Sequence, residues 1–145
     1  MTKEEVLKAA IVRGLTNEEP VHGVDDLLGQ VIASAVFDRE GNEHLLRLTL
    51  EDGRVYELGD FGQSCCEYRY ITTDDDAADL EGGRIFDISS RDMGEVSGAS
   101  GDDVHEQVGL RVTTDIAAML LVTHNEHNGY YRNAGGFSLC VRRAQ

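Results

Sequence analysis

The sequence predicts an α+β domain, a single antiparallel β-sheet of about six or seven strands with an N-terminal helix and one short internal helix. Three observations carry this. A 3.6-residue apolar period occurs at the start of the chain, a period of two takes over near residue 30, and Gly-containing turn dipeptides follow at short intervals. A length of 145 residues suits one domain that buries a core without disulfide staples. Residues 1–23 read as the helix and a connector, and 24–145 as the sheet domain.

The elements follow in order. Thr2 and Glu5 have capping-box spacing, and Val6, Leu7, Ala10, Ile11 and Leu15 share one helical face, so residues 3–14 form an amphipathic helix that Gly14 stops. Asn17 to Gly23 connects, and a short turn at Asp25 to Leu28 ends at Gly29. Alternation of Val31, Ala33, Ala35 and Phe37 marks a strand over 30–38. Leu46, Leu48 and Leu50 mark a second, Asp52-Gly53 supplies a hairpin turn, and Arg54 to Leu58 returns as a third. The apolar face of this meander requires a cover, for which the N-terminal helix is the candidate. Glu67 to Ile71 is extended. Asp74 to Leu80 reads as a short helix whose aspartates suit the positive end of its dipole. Arg84 to Ile88 is a strand, residues 91–103 lack periodicity and read as a loop, and Val104–Thr114 and Ile116–Thr123 are long β-rich runs. The second run is apolar nearly throughout, the pattern of a central buried strand. Asn128-Gly129 marks a tight turn before a last strand carrying Phe137, Leu139 and Val141.

Composition narrows the function. Hydrophobic residues make up 41% and charged residues 28%, with 13 basic against 27 acidic side chains and a net charge of −14. That field repels nucleic-acid polymers, while a small anion can still bind where local arginines outweigh a screened field. No apolar run is long enough to span a bilayer and the start lacks a signal-peptide plan, so a cytoplasmic location is expected, with no membrane partner. Three cysteines, two of them adjacent, fit thiols in a reducing compartment.

The chemical candidates divide unevenly. Cys65-Cys66 is no zinc signature, because adjacent thiolates do not both reach one tetrahedral ion, and packing is the favoured role for these residues. His105, His124 and His127 could supply nitrogen ligands, but the sequence favours no metal, no cofactor and no catalytic residue. The late stretch is richer. Tyr130 and Tyr131 offer planar faces next to the Asn128-Gly129 turn, and Arg132, Arg142 and Arg143 offer guanidinium groups near them, a combination that suits a nucleotide. Their bland alternatives are a hairpin whose tyrosines pack on the sheet and ordinary surface charge.

Taken together, Leu28-Gly29, Asp52-Gly53, Cys65-Cys66-Glu67-Tyr68, the acidic stretch from Asp74 to Leu80 and Asn128-Gly129-Tyr130-Tyr131 resemble, over roughly residues 27–140, a family of small phage and bacterial proteins described mostly as domains of unknown function. The pattern is also similar to the phage Thoeris anti-defence sponges. That resemblance implies a small α+β protein, homodimeric or a higher homo-oligomer, that sequesters a cyclic ADP-ribose-type signal without catalysis. It carries a ligand role onto Asn128, Gly129 and Tyr130, and onto Tyr131; the arginine reading adds Arg132 and Arg142. The sequence departs from the pattern in its acidic balance, its extra helix and Arg132-Asn133-Ala134. Two rival readings stay open: an acidic interaction module that inhibits a host nucleic-acid-binding protein, and a Cys/His enzyme.

Overall fold

The structure is a computed structural model that describes residues 18–40, 44–62, 67–96, 104–127 and 137–144. Among them are nine strands, two single-turn 3-10 helices and no α-helix. The α+β expectation is thereby corrected: the described chain is nearly all β, in two antiparallel sheets of five and four strands rather than one sheet of six or seven. The helix expected over 3–14 lies outside the described residues.

The strands are β1 (Glu19–Pro20), β2 (Ile32–Asp38), β3 (Leu45–Leu50), β4 (Val55–Asp60), β5 (Tyr68–Thr72), β6 (Ile85–Glu95), β7 (Val104–Thr114), β8 (Ala118–His127) and β9 (Leu139–Arg143). The five-stranded sheet has the order β1-β6-β7-β8-β5 and the four-stranded sheet the order β2-β3-β4-β9. The expected meander is present as β2-β3-β4, with Gly53 at φ 90 in its tight turn. The acidic helix is reduced to one 3-10 turn, Ala77–Leu80, capped by the Asp76 side chain accepting from the Ala78 N–H.

The cover for the meander is the other sheet. Leu46, Leu48, Leu50 and Leu58 from one side and Ile85, Ile88, Leu110, Val112, Met119 and Leu121 from the other join a single buried cluster. Two half-apolar sheets that hide each other's inner faces make a sandwich, and neither then needs a helix. The predicted loop 91–103 is also revised at its start. β6 runs on to Glu95, because pairing with β7 supplies the order that a Gly- and Asp-containing sequence lacks by itself, and the register shift between Asp92 and Gly94 absorbs the misfit as a bulge.

One segment, residues 19–23, ties the layers together. β1 pairs with β6 in the five-stranded sheet, and two residues later His22 bridges to Cys140 of β9 in the four-stranded sheet. Gly23 makes this crossing possible: it sits at φ 88, and a Cβ there would come 2.3 Å from the Val141 carbonyl oxygen. Among the described residues, no helix is long and apolar enough to cross a membrane.

Candidate functional site

Register decides which side chains share a face, since residues directly opposite in a ladder lie on the same side of the sheet. Tyr70, His124 and Gln107 are opposite one another across β5, β8 and β7, and so are Tyr68, Glu126 and His105. The same face continues along β7 to Gly109 and Arg111, which pair with Arg91 and Ser89 of β6, and along β8 to Leu120, opposite Arg111. This is the outer face, turned away from the core.

Rings crowd its first half. Tyr70 stacks on His124 with centroids 4.4 Å apart and planes 5° from parallel, Tyr68 tilts against Tyr70 at 4.8 Å, and His105 tilts against His124 at 5.0 Å. His105 Nε2 lies 2.8 Å from His124 Nδ1, so one nitrogen donates a proton and the other accepts it. His124 Nε2 is 2.8 Å from the Thr72 hydroxyl. Burial holds the His124 pKa below the ordinary histidine value, helped by the neighbouring His105. Burial also pushes Tyr70 up to about 12, reinforced by its hydrogen bond to Glu126. The phenol therefore stays protonated and His124 stays neutral near pH 7.

The second half is a groove of about 520 Å³. Its floor is Gly109, where a Cβ would approach Met93 Sδ to 3.2 Å and Leu120 Cδ1 to 3.4 Å. Met93 and Leu120 are 47% and 44% exposed over this groove, and Tyr68, farther along the same face opposite Glu126, is 62% exposed. Arg111 is ion-paired with Glu18, which also accepts from the Ser89 hydroxyl. Arg91 also lines the groove, and among the described residues no carboxylate pairs with it.

Leu120 shows where the sequence misled. The apolar run from Ile116 suggested a strand buried on both faces, whereas Met119 and Leu121 face the core and Leu120 faces the groove. An apolar residue on an outward position of β8 was the available signal for this surface.

A separate polar cluster lies between the sheets. Arg69 donates to both oxygens of Asp60 at 3.0 Å and to Glu67 at 2.8 Å, with side chains 6%, 4% and 1% exposed. Asn125 donates to Glu67 at 2.6 Å, and Asp60 accepts the Ser138 N–H at 2.9 Å. Glu67, the acidic member of the Cys-Cys-Glu motif, thus joins a structural staple between the layers. His127 belongs to this inner face and contacts Glu106 at 2.6 Å, apart from His105 and His124.

Of the residues expected to bind ligand, Asn128, Gly129, Tyr130, Tyr131 and Arg132 lie outside the described residues, as do Cys65 and Cys66. Asn128 follows directly on His127, the last residue of β8. Arg142 is on β9 in the other sheet, with its Nε 3.1 Å from Glu57 and its guanidinium 3.7 Å from the Phe61 ring centroid. The structure does not bring it to the outer face of the five-stranded sheet. Cys140 is half-buried, and burial raises its thiol pKa, which is the reverse of nucleophile activation. No group of three or more His, Cys, Asp or Glu residues able to hold a metal occurs among the described residues.

The sequence profile of a family described as a domain of unknown function, DUF7448, matches residues 25–135. No curated protein and no solved structure matches the chain.

Proposed function

The chain belongs to the DUF7448 family, and from that premise we propose that it is a binding protein that captures a small nucleotide-derived ligand on the outer face of the five-stranded sheet, without turnover. One observation carries the reading: the groove over Gly109 sets Arg91, which has no ion-pair partner among the described residues, beside the exposed apolar side chains of Met93 and Leu120. Its volume falls in the ordinary range for small-molecule sites. Guanidinium recognises phosphate by paired hydrogen bonds, and a purine face has Met93 and Leu120 to lie against. A cyclic nucleotide signal of the cyclic ADP-ribose type combines both groups in one compact molecule. Sequestration is favoured over chemistry because Cys140 is held as a neutral thiol and the two outer-face histidines are engaged with each other.

The test is thermal unfolding of the full chain against cyclic ADP-ribose isomers and cyclic di- and trinucleotides, with Arg91→Ala and Asn128→Ala beside it. A ligand at a hundred times its dissociation constant adds about 2.7 kcal/mol of stability. A shift for one compound that Arg91→Ala abolishes is the expected result. Loss in Asn128→Ala as well adds the segment after β8 to the site. An absence of any shift across the panel at saturating concentration overturns the reading.

A further inference from the structure

We propose that His105 and His124 form a binding site for a divalent first-row transition ion that favours square-planar or octahedral coordination, such as nickel(II) or copper(II). The site stands independently of the nucleotide reading, since its atoms lie in the ring cluster and not in the groove.

The argument begins with one distance. His105 Nε2 and His124 Nδ1 face each other at 2.8 Å. Imidazole nitrogens bind such ions at about 2.0–2.1 Å, so two of them in adjacent positions at a right angle stand roughly 2.9 Å apart, and at a tetrahedral angle roughly 3.4 Å. The spacing in this protein is that of adjacent ligands on a square or octahedron. In the metal-free chain a single proton bridges the gap. An ion takes its place when the ring that carries the proton moves it to its other nitrogen, which costs no net proton, and the half-buried His105 ring turns so that both lone pairs converge on the ion.

The surroundings already hold the ligands in place. His124 has its far nitrogen on the Thr72 hydroxyl at 2.8 Å, the outer hydrogen bond that fixes ring orientation in histidine metal sites. Tyr70 lies flat against the same ring, removing its freedom to turn. The Tyr70 hydroxyl is 3.4 Å from His105 Nε2, and the Gln107 side-chain amide is 3.4 Å from His124 Nδ1, so polar atoms border the open positions that water would fill. Two strands are needed to make the pair: His105 is on β7, His124 is on β8, and they meet on the diagonal of the ladder. A net charge of −14 raises the local concentration of cations around the whole chain.

Untagged, metal-stripped full chain is titrated with Ni²⁺ against a chromophoric chelator, and with Cu²⁺ followed by electron paramagnetic resonance. The variants are His105→Gln, Thr72→Val and His127→Gln, each checked for folding by circular dichroism. One equivalent of Ni²⁺ is expected, with nitrogen hyperfine structure from two imidazoles on Cu²⁺. His105→Gln should weaken Ni²⁺ more than tenfold and remove one nitrogen from the copper spectrum. Thr72→Val should weaken binding by about 10–100-fold with both nitrogens retained, and His127→Gln should change neither reading. Equal Ni²⁺ affinity in the parent and His105→Gln overturns the site, as does loss of the ion in His127→Gln. Because His105 is only half-buried, its variant decides the matter without requiring a replacement at the buried His124.

Discussion

The two outer faces of the sandwich are built from the same kind of strand and finished in opposite ways. On the four-stranded sheet, Arg47 lies between Asp38 at 3.6 Å and Glu57 at 3.5 Å, while Arg142 reaches Glu57 at 3.1 Å and covers Phe61. Both of these cations have an acid beside them. On the five-stranded sheet, Leu120, Met93 and Tyr68 stand exposed, Arg91 has no ion-pair partner among the described residues, and the two histidines share one proton between facing nitrogens. A face with its charges matched needs only water. The other face sets a cation without an ion-pair partner next to bare apolar surface, and the proposed binding side rests on that difference.

The comparison can be broken most violently from beneath. Arg69→Met removes the cation that Asp60 and Glu67 share in a buried ion network, so denaturant unfolding should show a loss of about 3–5 kcal/mol. Both faces would then be disturbed together. Next is Arg91→Ala, which should leave the unfolding midpoint of the free protein within about 0.5 kcal/mol yet weaken an anionic ligand by about 1.5–3 kcal/mol, as read by calorimetric titration. Equal loss of stability and binding would remove the distinction between the faces.

A pH scan sharpens the contrast further. His124 has a lowered pKa in the folded chain because of burial and then His105, with Glu126 opposing. Below the unfolded value of about 6.5, the unfolded chain takes up the proton first, so this residue's stabilisation is present above that pH and fades as pH falls through the window beneath it. The melting temperature should decline faster from pH 7 to 5.5 in the parent than in His124→Asn. The smallest effect belongs to the other face. Glu57→Gln cuts both of its arginine contacts, but these are partly exposed pairs and the expected loss is about 0–1 kcal/mol, with ligand affinity unchanged.

Local chemistry was legible in the sequence, and layer assignment was not. Asp52-Gly53 and the alternating leucines placed the hairpin of β3 and β4 within two residues, because turn type and side-chain period are properties of a few neighbouring positions. The run Val104–Thr114 was read to its observed ends for the same reason. The count of sheets depends instead on which strand pairs with which across dozens of residues, and alternation looks the same in either sheet. His105 and His124 were noticed as possible ligands together with His127. Only the register of β7 on β8 shows that the first two meet on one face and that the third turns inward. The extended length of β6 was hidden by Gly94, whose backbone order comes from its partner strand and not from its own preferences. Asn128-Gly129-Tyr130-Tyr131 lies outside the described residues, and the candidate site rests instead on Arg91, Met93, Gly109 and Leu120, whose individual residue types carry little signal.

The clasp at Gly23 reaches into the timing of folding. Residues 19–22 finish their pairing against Ser89, Ser90 and Cys140, and the last of these contacts joins positions more than a hundred residues apart. Contacts of such long sequence separation form late, because the intervening chain loses its freedom before the contact returns any stabilisation. During synthesis the five-stranded sheet gains β6 to β8 first, and residues 19–23 wait against it until β9 has left the ribosome. The nascent chain therefore passes through a stage in which the edge of β4 lacks its partner strand, and the interval before β9 arrives is when this acidic sandwich is most open to proteases and to pairing with a second copy.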